Sequence, residues 1–191
     1  MKKTPRGNEI LDFEPQNLPQ DILAALGLMS ASASNTESIV EMAIAGMLNL
    51  DGEQGWAVTA HMPSPLRMSV LKSAAEIKLT QAKALDELDV LLENIKTTAG
   101  ARNEMVHGSW CRVPSTGEVR LINQEARTHV SVSSRPVTVD EIKLKAVAIY
   151  DAGIDLMRFL IALELVPALP RSRERGTNTP QSRKAARKKR G

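Results

Sequence analysis

The sequence predicts a mainly helical fold: a helical bundle with a small β-hairpin or three-stranded meander inserted before the last long helix. Three observations carry this expectation. Apolar residues recur in steps of three and four over long stretches before residue 100 and after residue 138. Between those stretches lie short segments at 110–113, 118–122 and 128–133, the first two separated by the turn residues Pro114, Ser115, Thr116 and Gly117. Aromatic residues make up only 3% of the 191 residues, which argues against a β-sandwich or a base-stacking RNA-binding sheet.

Each element has its own signal. Residues 1–20 are polar, hold Pro5, Pro15 and Pro19, and read as a flexible lead-in. A short helix is expected at 21–28 and a small-residue loop at 30–34. Ser34, Asn35, Thr36 and Glu37 then fit a capping box, opening a helix whose buried stripe is Ile39, Val40, Ala43, Ile44, Met47 and Leu48. Asp51, Gly52 and Gly55 end it, and a loop surrounds Trp56. Ser64 and Pro65 form a start signal. The series Leu66, Val70, Ala74, Ile77, Leu85, Leu88, Leu92 and Ile95 follows, implying one helix over about 65–98 or two nearly collinear ones. Ala99 and Gly100 loosen the chain after it. Thr138, Val139, Asp140 and Glu141 form a second capping box for a helix running to about 166, where Pro167 and Pro170 stop it. Its apolar face is Ile142, Ala146, Ile149, Gly153, Leu156, Leu160 and Leu163. The helical domain thus spans 21–170, with the hairpin insertion at about 109–134.

Charge is unevenly spread. Residues 171–191 hold nine bases (Arg171, Arg173, Arg175, Arg183, Lys184, Arg187, Lys188, Lys189 and Arg190) against one acid, Glu174. The preceding 170 residues hold 16 bases and 21 acids, so the body is mildly acidic and the basic character belongs to the tail. With almost no apolar content, such a tail is expected to be disordered and to act as a non-specific electrostatic arm for RNA or DNA, with a solubilising extension or an anchor for an acidic partner as the alternatives. The single cysteine, Cys111, rules out an internal disulfide framework and fits a reducing, cytoplasmic setting. No continuous apolar run follows Lys2, Lys3 and Arg6, so no signal peptide is expected, nor any membrane association.

The chemistry concentrates in one stretch: Arg102, Asn103, Glu104, Met105, Val106, His107, Gly108, Ser109 and Trp110. A guanidinium placed directly after a long apolar helix must find an anion or a partner, because an isolated buried charge is costly. Histidine is the side chain that exchanges a proton near neutral pH. Together they are the minimum equipment for breaking a phosphodiester without a metal. The histidine moves a proton to or from a ribose oxygen, and the arginine stabilises charge on the phosphoryl oxygens. In a straight α-helix, however, Arg102 and His107 lie about 140° apart around the axis, whereas Asn103 and His107 share a face. They converge only if the helix breaks or begins there, or if a second chain completes the site, and C2 symmetry would set two motifs opposite each other.

Arg102 and Asn103, followed by three residues and then His107, resemble the Arg–polar–x3–His signature of HEPN domains, helical bundles found in many RNases. Gly108 and Trp110 resemble the continuation in a subset where the motif runs into a hairpin. The layout of helices over about residues 30–166 is also similar. The resemblance implies metal-independent endoribonuclease activity, no cofactor, and a homodimer whose Arg/His motifs form one composite site. Arg102 would bind phosphate, Asn103 would position, and His107 would be the general acid/base. It also implies a setting in toxin–antitoxin, phage-defence or RNA-processing systems, with an antitoxin or regulatory protein as partner. Domains of this kind also exist as non-catalytic binding or scaffold modules, and that is the alternative reading, with the tail holding nucleic acid or an acidic partner.

The remaining candidates read as structural. Glu104 is expected to be a solvated helix residue that could position His107, and Glu37 a capping partner. His61 and His129 lack ligands at metal-binding spacing, so no metal site is expected. Cys111 reads as a small buried strand residue, and Trp56 and Trp110 as core or interface residues.

Overall fold

The computed structural model describes residues 10–126 and 130–167. Helices α1 (Gln20–Met47), α2 (Gly52–Thr59), α3 (Ser64–Lys78) and α4 (Ala82–His107) come first. Strands β1 (Ser109–Arg112), β2 (Val119–Ala126) and β3 (Val130–Pro136) follow, and α5 (Val139–Ala162) closes the chain. This is the expected mainly helical architecture, with a three-stranded antiparallel sheet of order β1-β2-β3 before the last long helix. The basic residues of the tail, Arg171 to Arg190, and His129 lie outside the described residues.

α1 and α5 run parallel to each other through the middle of the bundle. Ile22, Ala25 and Met29 of α1 pack with Ile142, Ala146 and Ile149 of α5, while Ile39, Val40 and Ile44 pack with Leu156, Phe159 and Leu160. At the crossing, Gly153 lies so close to Thr36 that a Cβ there would sit 2.6 Å from the threonine Oγ1. That hydroxyl donates to the Ile149 carbonyl at 2.8 Å, and the Ser32 carbonyl lies at 3.1 Å. Thr36 is therefore a buried bond between two helices. The capping box expected at Ser34–Glu37 does not form, and neither does the loop at 30–34: α1 is continuous over 28 residues. Small serines and alanines let α5 approach closely here, and in isolation they mimic a helix start.

Four further expectations are corrected. Trp56 sits on α2, whose Asp51 and Gln54 form a reciprocal capping box, and it is exposed. α3 and α4 are separate helices, and they are not collinear. Leu79 and Gln81 are extended, and Lys72 Nζ meets Asp89 Oδ1 at 2.6 Å. In one straight helix those residues would stand about 25 Å apart. Folding back lets Ala74 and Ala75 of α3 and Leu88 and Leu92 of α4 enter the same core cluster. The apolar stripe of α3 is also rotated from the expected one: Leu66 and Ile77 are exposed, whereas Leu71, Ala74 and Ala75 are buried. Finally, α4 passes through Ala99 and Gly100 without interruption.

The core forms two clusters. One joins the C-terminal halves of α1 and α5 to α3 and the first part of α4. The other joins the N-terminal halves of α1 and α5 to Met105, Val119, Leu121 and Val137 at the sheet. Residues 10–18 of the stretch read as a lead-in also pack onto the fold. Leu18 is buried in the second cluster, and Asp12 exchanges two backbone hydrogen bonds with Arg112 at the edge of β1. Among the described residues, no helix is long and apolar enough to cross a membrane.

Candidate functional site at the end of helix α4

The inward stripe of α4 passes through Leu88, Leu92 and Ile95, all buried. Continued in steps of four and three it reaches Ala99, Arg102 and Val106. Where large apolar side chains give way to Ala99 and a charge, the packing opens into a cavity of about 120 Å³. Its walls come from four helices: Ala33, Thr36, Glu37 and Val40 of α1, Ser64, Arg67 and Met68 of α3, Ile149 of α5, and Ile95, Thr98, Ala99, Arg102 and Asn103 of α4. The cavity lies between the two core clusters, and Arg102 and Asn103 stand on its α4 side.

Arg102 is half-buried. Its Nη1 donates to Asn103 Oδ1 at 3.0 Å, and its Nε is buried with no hydrogen-bond partner. Among the described residues it forms no ion pair. Asn103 is exposed, and His107, the last residue of α4, is exposed, its imidazole making no hydrogen bond to any described residue. Because α4 is unbroken from Ala82 to His107, the five-residue step leaves Arg102 and His107 about 140° apart, so one chain does not bring them together. Asn103 and His107 do share a face, one turn apart.

The residues between and after these three have other duties. Glu104 is not a solvated helix residue. Its carboxylate meets Arg135 at 2.8 Å and Lys145 at 3.1 Å, and Glu141 pairs with Arg135 at 2.8 Å. The hydrogen bond from Arg135, aided by Lys145, holds the Glu104 carboxyl below the ordinary carboxylate range despite partial burial. Its bonds run toward β3 and α5 and away from His107. Met105 is fully buried in the sheet-side cluster, and its carbonyl accepts from Trp110 Nε1 at 2.8 Å. Gly108 caps the helix where β2 comes closest: a Cβ there would lie 2.5 Å from both Asn123 Oδ1 and Leu121 Cδ1. Cys111 is a fully buried strand residue and His61 lies exposed after α2.

Two residues of the cavity escape sequence reasoning. Arg67 occupies the inward face of α3, one turn before buried Leu71. It pairs with Glu41 at 3.0 Å and stands 3.8 Å from Glu37, and its Nε has no partner. Glu37, read as a capping partner, is instead a half-exposed carboxylate at the cavity edge. A charge placed four residues before a buried leucine is the available signal for Arg67, masked by apolar Leu66 beside it.

Searches against protein-family models, curated proteins and solved structures find no match to this chain.

Proposed function

We propose that this protein is a metal-independent endoribonuclease of HEPN type that acts as a homodimer. The reading rests on the division of labour at the end of α4. The helix is fastened to the sheet and α5 by Glu104, Met105, Gly108 and Trp110, while Arg102, Asn103 and His107 contribute nothing to that fastening. An arginine with no counter-ion and a histidine with no side-chain partner among the described residues have the chemistry that RNA cleavage requires and little structural reason to be there.

In the proposed reaction, the ribose 2′-hydroxyl attacks the adjacent phosphorus and the bond to the 5′-oxygen breaks, leaving a 2′,3′-cyclic phosphate and a free 5′-hydroxyl. One proton leaves the 2′-oxygen and one reaches the 5′-oxygen, with His107 as the general acid/base. Arg102 neutralises charge building on the phosphoryl oxygens. Asn103 positions the phosphate. Since one chain holds Arg102 and His107 apart, Arg102 of one copy serves His107 of the other. The nine tail bases add salt-dependent capture of the polyanion. Such an activity requires restraint in the cell by a partner of antitoxin type.

The test is cleavage of total RNA in EDTA by wild type, Arg102→Ala and His107→Ala. Fragments from wild type alone are the expected result. No cleavage by folded, dimeric wild type would replace this reading with a non-catalytic binding module, and equal cleavage by all three would remove the site assignment.

A further inference from the structure

We infer that the outward face of α5 pairs with the same face of a second copy of this chain, the two helices lying antiparallel about a two-fold axis. The inward side of α5 is already used, with Ile142, Ala146, Ile149, Leu156 and Leu160 buried against the bundle. A side covered by water should be polar. On α4 it is, with Asp86, Glu87, Glu93 and Lys96 exposed. On α5, Leu144, Val147 and Ile161 are instead 71%, 51% and 59% exposed, and Ile154 is half-buried. Together with Asp151 and Arg158 these residues step along the helix by three and four in alternation, the spacing of a helix-pairing seam. The seam is about 26 Å long.

The two charges in the seam select the partner and its direction. Asp151 is exposed and forms no ion pair among the described residues. Arg158 is exposed, and its Nη1 donates to Asp155 at 2.9 Å, which leaves Nε and Nη2 to donate elsewhere. Two parallel copies in register would oppose Asp151 to Asp151 and Arg158 to Arg158, and like charges repel. Antiparallel copies centred at the level of Ala152 and Gly153 set Leu144 against Ile161, Val147 against Arg158 and Asp151 against Ile154. Each Asp151 then lies about 6 Å along the axis from Arg158 of the other copy, within reach of its long side chain. The face is acidic in one half, basic in the other and apolar at both ends, so it complements itself in this direction. The contact does not rest on the nuclease reading. Lys145, where Glu104 grips α5, lies about 100° around the helix from Leu144, so the face stays open when the end of α4 meets another copy. With both contacts made, the assembly is a tetramer.

The experiment is sedimentation equilibrium of the full chain as wild type, Asp151→Arg, Arg158→Asp and the double exchange, with folding checked by circular dichroism. Each single exchange sets like charges together at two symmetric places and should weaken association about tenfold. The double exchange restores opposite charges and should return to within about threefold of wild type. Mixing the two single variants should give mixed pairs in preference to either variant alone, because both cross-chain pairs are then of opposite sign. Both positions are exposed, so the variants should keep the fold, and the rescue separates loss of the contact from loss of the Arg158–Asp155 pair. A wild type that does not associate would overturn the inference and give the face to a different protein or to another segment of this chain. Single exchanges that associate as wild type does, or a double exchange as weak as the singles, would also overturn it. His107-dependent RNA cleavage with association indifferent to Asp151→Arg would remove the α5 contact and leave the nuclease reading standing. Charge-sensitive association without cleavage would do the reverse.

Discussion

The last two turns of α4 have two faces, and they behave oppositely. On one, Glu104, Met105 and the following Gly108 and Trp110 are held by an ion network, a core cluster, a close strand approach and an indole hydrogen bond. On the other, Arg102 and Asn103 hydrogen-bond each other, and the His107 side chain bonds no described residue. The first face makes the helix end rigid, and the second uses that rigidity to present polar groups at fixed positions. Holding a reactive group on a well-packed element saves the cost of ordering it in the transition state.

Substitutions on the two faces should therefore separate activity from stability. The largest effect is expected from His107→Ala, which should lower RNA cleavage by roughly 10²–10⁴-fold with an unfolding free energy within about 0.5 kcal/mol of wild type. Unfolding of that variant would move His107 to the fastening face. Next comes Gly108→Ala, whose methyl group meets Asn123 and Leu121. Urea denaturation should show a loss of about 1–3 kcal/mol, and an unchanged midpoint would deny the close approach to β2. Trp110→Phe removes the indole donor to the Met105 carbonyl and should cost about 1 kcal/mol.

The smallest effect, Glu104→Gln, carries a pH signature. Ion pairs this accessible are screened by water, so the loss near neutral pH should be roughly 0.5–1 kcal/mol. The Glu104 carboxyl is held below its ordinary value in the folded state, so it contributes stability above the unfolded-state value of 4.5. That contribution fades as pH falls from there through the lowered folded value. Melting curves of wild type and Glu104→Gln should thus converge on acidification below about pH 4.5. A gap that persists would show that the network does not depend on this charge.

Much of the fold was legible because periodicity and turn chemistry are local. The stripe on α5, the turn at Pro114–Gly117 and the Thr138 cap all follow from neighbouring residues. The failures come from contacts across sequence. Thr36 resembles a cap until the Ile149 carbonyl of α5 accepts its hydrogen bond, and Asp89 reveals the fold-back of α4 only by meeting Lys72. Arg102, Asn103 and His107 stood out because they are adjacent in the chain. The cavity beside them did not, because Glu37, Arg67 and Ile149 join it from three other helices.

The central claim is that Arg102, Asn103 and His107 at the end of α4 are half of a site completed by a second copy. Mixing the Arg102→Ala and His107→Ala chains under conditions that exchange subunits tests it directly. In each mixed dimer, the intact Arg102 of one chain meets the intact His107 of the other at one of the two sites. About a quarter of wild-type cleavage should return from two inactive parents. Mixed dimers, verified by mass spectrometry, that remain as inactive as their parents would contradict the account.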